Sequence, residues 1–494
     1  MRDALFHLPK DGTGSIQARI RSMLVDEILA GRLPAGDPLP SSRRMAQTLG
    51  VSRNTVVLAY QALVDDGYLQ ARERSGFYVD PDIGPRVRKA EATPHRASQS
   101  IGPDVDWASK LRIHPSEQSN VTKPKDWQRF PYPFIYGQVD TDLFPLSSWR
   151  ECFRLALNRK TLDAWTADAR ADDDPVLIEQ IRTRLLPRRG LLVDSDQILI
   201  TLGAQNALYI LASLLISPKD AVVIEEPGYR DATNIISLKT NNVRPVPVDA
   251  GGLQITQAMR GAKVAFVTPS HQYPTAATMP MDRRMALLES ATKNDVILIE
   301  DDYEAETNFI NQPMPSLASL DTSGRTLYIG SLSKTLFPGL RLGYLVGPKA
   351  LITEARALRR LMLRHAPSNV QYATAQFLAL GHHDALVHRL HKAYRARWQA
   401  MEAALKTHLP DITVSDSVGG TSVWCQGSAE LDTDKLALAA AKEGILIDPG
   451  TIYFHQSPPP RNCFRLGFSS IPLERIEPGI EKLSNVLRAM EQAH

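Results

Sequence analysis

Apolar positions recur with two different periods along this chain, and the change of period divides it. Over residues 16–30, Ile20, Leu24 and Ile28 are spaced by four and Leu29 widens the stripe, which predicts an amphipathic helix stopped at Gly31. A second helix is expected from Ser41, a suitable N-cap, to Gly50. A third, capped by Ser52, places Val56, Ala59, Tyr60 and Leu63 at i, i+3, i+4 and i+7 and leaves Arg53, Asn54 and Thr55 polar on its first turn. Two short helices joined at Gly50-Val51 read as a helix-turn-helix, whose second helix meets the DNA major groove with its first residues. Residues 67–79 then read as a two-stranded wing, with Arg72 and Arg74 near its tip suited to phosphate or the minor groove. The bland alternative is a small helical oligomerisation module, because a core stripe says nothing about DNA.

From Pro133 onward the period shortens. Val222-Val-Ile-Glu225, Val264-Ala-Phe-Val267, Val296-Ile-Leu-Ile299 and Thr326-Leu-Tyr-Ile329 are short β-rich runs with helical segments between several of them. That alternation predicts an α/β domain with a mainly parallel sheet. Between the two patterned regions lies a polar stretch interrupted by Pro81, Pro85, Pro94, Pro103, Pro115 and Pro124. It reads as a flexible tether or as a strap lying on another surface, with Trp107 and Trp127 marking places where it docks. The expected organisation is a DNA-binding unit over 12–80, a linker over 81–132 and a large domain over 133–494.

Composition narrows the function classes only a little. With 494 residues, two or three domains are expected, and a hydrophobic fraction of 43 % is that of a globular protein. No run approaches the ~20 apolar residues that span a bilayer, and Met1 to Lys10 lack the signal-peptide succession, so a cytoplasmic location without membrane contact is expected. Cys152, Cys425 and Cys463 are too scattered for a disulfide framework or a zinc site, and no metal is expected. A net charge of +3 is too mild to announce nucleic-acid binding by itself.

The densest chemistry lies in Ser331-Leu-Ser-Lys-Thr-Leu-Phe-Pro-Gly-Leu-Arg341. It offers an amine, two hydroxyls and a guanidinium, which together suit pyridoxal 5'-phosphate (PLP): Lys334 for the aldehyde, and Ser331, Ser333 and Arg341 for the phosphate. Gly203, Ala204 and Gln205 follow a strand and open a helix, a place where backbone amides favour an anion. Tyr229, after the turn Glu226-Pro-Gly, offers a ring for stacking on the cofactor. Glu300, Asp301 and Asp302 follow an apolar strand, and one of these carboxylates can hold a pyridine nitrogen protonated, while Tyr303 can bond the cofactor's phenolic oxygen. A surface Ser-Lys loop, an exposed turn tyrosine and a strand-end cap are the ordinary readings of the same residues.

Two resemblances bear on these residues. Leu39-Pro-Ser-Ser-Arg43, Gly50-Val-Ser-Arg-Asn-Thr55, Ala59-Tyr60 and Gly67-Tyr-Leu69 resemble the winged helix-turn-helix of the GntR regulator family, which implies DNA contacts by Arg43, Arg53 and Thr55, with Asn54 a further candidate. The Ser331–Arg341 run and its partners resemble fold-type I aminotransferases over most of 135–485. That likeness implies a cofactor Schiff base at Lys334, Asp301 on the ring nitrogen, Tyr303 on the ring oxygen and Tyr229 stacked. It also implies His271 and Gln272 lining the same side, and Arg465 gripping a substrate carboxylate.

Joined in this order, the two parts resemble the MocR subgroup of transcriptional regulators. Tyr132-Pro-Phe-Ile-Tyr-Gly-Gln138, Leu143-Phe-Pro145, Leu186-Pro-Arg-Arg-Gly190 and Gly419-Gly-Thr-Ser-Val-Trp424 look most like members controlling taurine or ectoine catabolism. The resemblance implies a homodimeric regulator that binds double-stranded DNA at two half-sites and senses an amine or amino-acid effector by exchange at Lys334. Two departures from the aminotransferase pattern stand out: the tyrosine expected ahead of Arg188 is replaced within Trp165–Pro175, and Pro274-Thr-Ala-Ala277 lacks the usual glycine. An active aminotransferase carrying a DNA-binding domain, and a constitutive DNA-binding protein with a vestigial pocket, remain the alternatives at this point.

Overall fold

The computed structural model describes residues 6–8, 14–73, 75–83, 105–166, 172–309, 314–415 and 419–492. Contacts divide the chain into two units, Met1–Lys110 and Leu111–His494. Arg74 and residues 84–104 of the expected linker lie outside the described residues.

In the first unit the capping chemistry sets the helix boundaries. Helix α1 spans Ile16–Leu29, α2 Ser42–Leu49 and α3 Arg53–Asp65, and the hydroxyls of Ser15, Ser41 and Ser52 accept from the backbone N–H of Ala18, Arg44 and Thr55. Gly50 ends α2 at φ 65°, a left-handed conformation that glycine adopts without steric cost. Ile20, Leu24, Ile28, Val56, Ala59, Tyr60 and Leu63 are buried together, so the helical stripes form one core. Strands β1 (Leu69–Arg72) and β2 (Gly76–Val79) pair antiparallel with Arg72 opposite Gly76, which makes the wing.

The large unit begins with the two-residue strand β3 (Tyr132–Pro133). Its principal sheet contains β4 (Ile198–Thr201), β5 (Ala221–Glu226), β6 (Val243–Asp249), β7 (Gly252–Leu253), β8 (Ala262–Val267), β9 (Ile297–Asp302), β10 (Thr326–Ser331) and β11 (Gly343–Val346). Their spatial order is β4-β11-β10-β9-β8-β5-β6-β7. The run from β10 to β6 is parallel, β11 is antiparallel to both neighbours, and β7 is an antiparallel edge. Alternate residues enter different cores: Val264 and Phe266 of β8 pack on one side, Ala265 and Val267 on the other. Helices Ala204–Leu215 and Lys349–Leu363 cover the first side and Met281–Asn294 the second, as expected of a sheet buried on both faces.

A smaller sheet follows from β12 (Thr413–Val414), β13 (Ser422–Gln426), β15 (Asp448–Pro449) and β16 (Cys463–Gly467), in the order β12-β13-β16-β15. Between them β14 (Ile445–Leu446) pairs with β3. Residues 111–132, within the stretch read as linker, group with the large unit. There Gln118 Nε2 donates to the Asn234 carbonyl at 3.0 Å, and Asn234 Nδ2 donates to the Ser119 carbonyl at 2.9 Å. Trp127 is half-buried but Trp107 is exposed, so the docking expected at Trp107 is not found. Ala276, where the aminotransferase pattern has its glycine, adopts φ 60° and carries the steric cost of that conformation.

Candidate functional site

Three strand ends and one strap converge on a cavity of about 290 Å³. β4 ends at Thr201, and Gly203 turns the chain at φ 79° into the helix Ala204–Leu215. A Cβ on Gly203 would come within 3.4 Å of Arg341 Nη2, so this residue's lack of a side chain lets the guanidinium approach the helix N-terminus. β9 delivers Asp301, Asp302 and then Tyr303, and β10 ends at Ser331 just ahead of Ser333 and Lys334. Arg341 itself takes the left-handed conformation at φ 52° and donates to the Leu202 carbonyl at 3.3 Å.

Of the residues singled out in the sequence, Gly203, Ala204, Gln205, Tyr229, Asp301, Tyr303, Ser331, Ser333, Lys334 and Arg341 all line this cavity. His271 and Gln272 do not. The Gln272 amide nitrogen donates to Glu225 and to the carbonyls of Pro227 and Tyr273, and its oxygen accepts from Thr275, so the side chain braces the wall from behind. His271 is buried beside Gly419 and Gly420. The expected place of these two beside a ligand is therefore not seen in the cavity lining, and for Gln272 the physical reason is that its amide is spent on Glu225, Thr275 and two carbonyls.

Arg465 also sits just behind the lining, 1 % exposed. Its Nη2 donates to Tyr453 Oη at 2.6 Å, Tyr273 Oη at 3.0 Å and Asp448 Oδ2 at 3.2 Å, while Nε has no partner among the described residues. The guanidinium lies 4.1 Å from the ring centre of Tyr136, and Lys334 Nζ lies 4.3 Å from the same ring. Tyr136, Lys123, Tyr273 and Tyr453 are site residues that the sequence reading missed. A signal for Tyr136 was present only as part of the stretch 132–138, and Lys123 stands in a segment without any period.

Burial brings two groups of the lining, Lys334 and Asp301, near neutrality. Burial pushes the Lys334 amine down to about 8, against the opposing pull of Glu304. Burial, with Asp302 alongside, raises the Asp301 carboxyl to about 7, and its Oδ1 is buried without a partner among the described residues. Asp302 differs: burial raises it, but Arg189, whose Nε donates to it at 2.7 Å, holds it below the ordinary range overall. Glu225, deeply buried under Thr268 and Gln272, is raised to about 7. Tyr229 meets Tyr273 edge to face at 5.1 Å, which fixes its ring at the cavity wall.

In the first unit, Arg43, Arg53 and Asn54 are exposed around the start of α3. Thr55 is half-buried and its hydroxyl is 2.7 Å from that of Ser52, so it is drawn into the cap rather than left free. Arg72 is exposed, with its guanidinium 4.3 Å over the Tyr78 ring.

Comparison with known proteins agrees with this division. Residues 16–79 match the family of bacterial regulatory proteins of the gntR type, and residues 172–483 match aminotransferase class I and II. The chain is 43 % identical over 485 residues to the HTH-type transcriptional regulator TauR of Rhodobacter capsulatus, covering 98 % of this chain and 99 % of that one. It is 31 % identical over 493 residues to the probable rhizopine catabolism regulatory protein MocR of Rhizobium meliloti, covering 98 % and 96 %. Among solved structures, kynurenine aminotransferase of Pyrococcus horikoshii superposes with a TM-score of 0.70 at 24 % identity, over 78 % of this chain and 98 % of that one. At that identity the likeness shows the fold alone. Reader and aminotransferase-like domain in one chain define a DNA-binding transcriptional regulator of fused type. The chain belongs to the MocR subgroup of GntR-family transcriptional regulators.

Proposed function

We propose that the large unit binds PLP and senses a small primary amine bearing an acid group, and that occupancy of this cavity alters DNA binding by the winged helix. The observation that carries the reading is the orphaned Asp301 carboxylate in the same cavity as Lys334. A buried carboxylate oxygen without a partner is costly, and a protonated ring nitrogen satisfies it. The rest of the lining suits the same group: the helix N-terminus at Gly203–Gln205, the hydroxyls of Ser331 and Ser333 and the guanidinium of Arg341 suit a phosphate. Bound PLP supplies an aldehyde that condenses reversibly with amines.

Lys334 offers that amine. With its pKa lowered to about 8, a useful fraction is unprotonated near neutral pH, and exchange with an effector amine follows from the same property. Tyr303 stands beside Asp301 to orient the ring oxygen, and Tyr229 to cover a ring face. Arg465, behind the lining with its buried Nε unpartnered among the described residues, is the guanidinium this reading assigns to the acid group of the effector, and its tyrosine cage fixes the guanidinium plane. Arg43, Arg53, Asn54 and Arg72 are the DNA-facing residues of this reading, with Thr55 acting through the helix cap.

The resemblance of residues 132–138, 143–145, 186–190 and 419–424 to members controlling taurine or ectoine catabolism supports an amino-sulfonate or a related short amino acid as effector. Among the described residues no helix is long and apolar enough to cross a membrane, which agrees with a cytoplasmic regulator. A homodimer through the large units would place two readers on two half-sites, and sedimentation at micromolar concentration tests it. The PLP assignment is tested by absorbance of the full chain mixed with PLP. A visible band that responds to short amino acids supports it, and its absence refutes it. Sustained keto-acid production with an amino acceptor would instead identify a turnover enzyme.

A further inference from the structure

The strap that crosses the large unit brings one residue into the cavity that neither the motif nor the fold accounts for. Gln118, Ser119 and Asn120 are tied to Asn234, and Val121 packs on the aromatic cluster of Tyr136, Tyr273 and Tyr453. Two residues on, Lys123 turns inward and lines the cavity. Its Nζ lies 5.5 Å from the Tyr136 ring centre, and a Cβ added to Gly137 would come within 3.6 Å of Lys123 Nζ and 3.0 Å of Lys334 Nζ, so both amines reach the space that this glycine leaves open.

Three cations therefore gather on one tyrosine ring: Lys123, Lys334 and Arg465. Two acids nearby, Asp448 and Glu304, are already engaged. Asp448 Oδ2 accepts from Arg465 and from the Tyr136 backbone N–H, and Glu304 accepts from the Thr421 hydroxyl at 2.5 Å. Burial lowers Lys123 to about 8, with Asp448 opposing and Arg465 and Lys334 adding to the fall. Among the described residues this amine has no ion-pair partner, and the charges that act on it mark the Arg465 end of the cavity.

Resting on the reading of the cavity as an amine sensor, we infer that Lys123 and Arg465 together receive the acid group of the effector, so that ligand occupancy pins the strap leading out to the DNA-binding unit. The ligand class that follows is a short ω-amino acid, sulfonate or carboxylate, whose amine reaches Lys334 while its acid end reaches Lys123. Occupancy is then sensed by the covalent connection itself.

The test uses the full-length chain with PLP, titrated with taurine, β-alanine, 4-aminobutyrate and propylamine, in the native protein, Lys123→Met and Lys123→Arg. Absorbance of the cofactor and amide hydrogen exchange over residues 118–124 are read together. Lys123→Met should weaken the response to the three acids about 10- to 100-fold, the range of a charge-assisted hydrogen bond, and leave propylamine within about twofold. Lys123→Arg should recover most of the loss. The acids, but not propylamine, should slow exchange over the strap in the native protein only. Equal weakening for propylamine, or unchanged acid affinity in Lys123→Met, overturns the inference while the sensor reading stands. Strap exchange that ignores the acids overturns the pinning. Absence of any cofactor band, or acids that never move it in the native protein, overturns both.

Discussion

Replacing Asp301 with Asn isolates the group on which cofactor binding is argued to depend. Among the protein's own groups the carboxyl is raised from 3.8 to about 7, chiefly by burial and then by Asp302. At 1.36 kcal/mol per pH unit, the ionised form costs the native state about 4 kcal/mol relative to the protonated form. A carboxyl raised on folding withdraws stability as pH rises. Below about 4 both native and unfolded chains hold the proton, between about 4 and 7 only the native chain does, and above about 7 the full cost is felt. Asn removes the charge but leaves a buried amide that costs about 1–3 kcal/mol itself. The apo variant should therefore be more stable than the native apo protein by about 1–3 kcal/mol at pH 8, with the advantage gone at pH 5.

With PLP added the order reverses, because the variant cannot offer a charged acceptor to the ring nitrogen. Affinity should fall about 10- to 150-fold, the worth of a hydrogen bond to a charged group. The assay is the unfolding midpoint of apo protein at pH 5 and pH 8, followed by absorbance titration with PLP. An apo variant less stable than the native protein at pH 8, or one that binds PLP as tightly, would show that Asp301 is satisfied within the protein and has no ligand to meet.

Four further outcomes are expected. Arg53→Ala should cost operator affinity by about 1–3 kcal/mol and relax preference at one base position, whereas Arg72→Ala should lower the salt slope by about one, both read by anisotropy across salt and sequence variants. Ser52→Ala removes the α3 cap and should cost the first unit about 1 kcal/mol, measured by hydrogen exchange in the full chain, with the cofactor band unaffected. Arg465→Lys keeps the charge opposite Asp448 but loses the planar fork, so it should weaken acid-bearing amines while preserving the response to propylamine, seen in the same absorbance titration.

Local chemistry made much of this legible in the sequence. Ser41, Gly50 and Ser52 mark helix ends because capping is decided within a few residues, and the recognition turn follows from them. The Ser331–Arg341 run and Asp301 were readable because strand ends deliver side chains to one rim of a parallel sheet. What escaped was assembled from distant pieces. Tyr136, Tyr273 and Tyr453 meet around Arg465 from three separate segments, and no spacing records that meeting. Lys123 lay in a segment without period, held by single hydrogen bonds to Asn234 rather than by a helix or strand of its own. Gln272 was assigned to the lining by resemblance, yet its amide is spent on Glu225 and two carbonyls.

The most direct test of the account is to reduce the PLP-loaded, full-length protein with borohydride and map the modified lysine. Lys334 and Lys123 are both lysines of the cavity lining, and only one is argued to hold the cofactor. The account predicts label at Lys334 alone, lost in Lys334→Ala, and diverted onto the small amine when taurine or β-alanine is present before reduction. Label on Lys123, or on any other lysine, would contradict it.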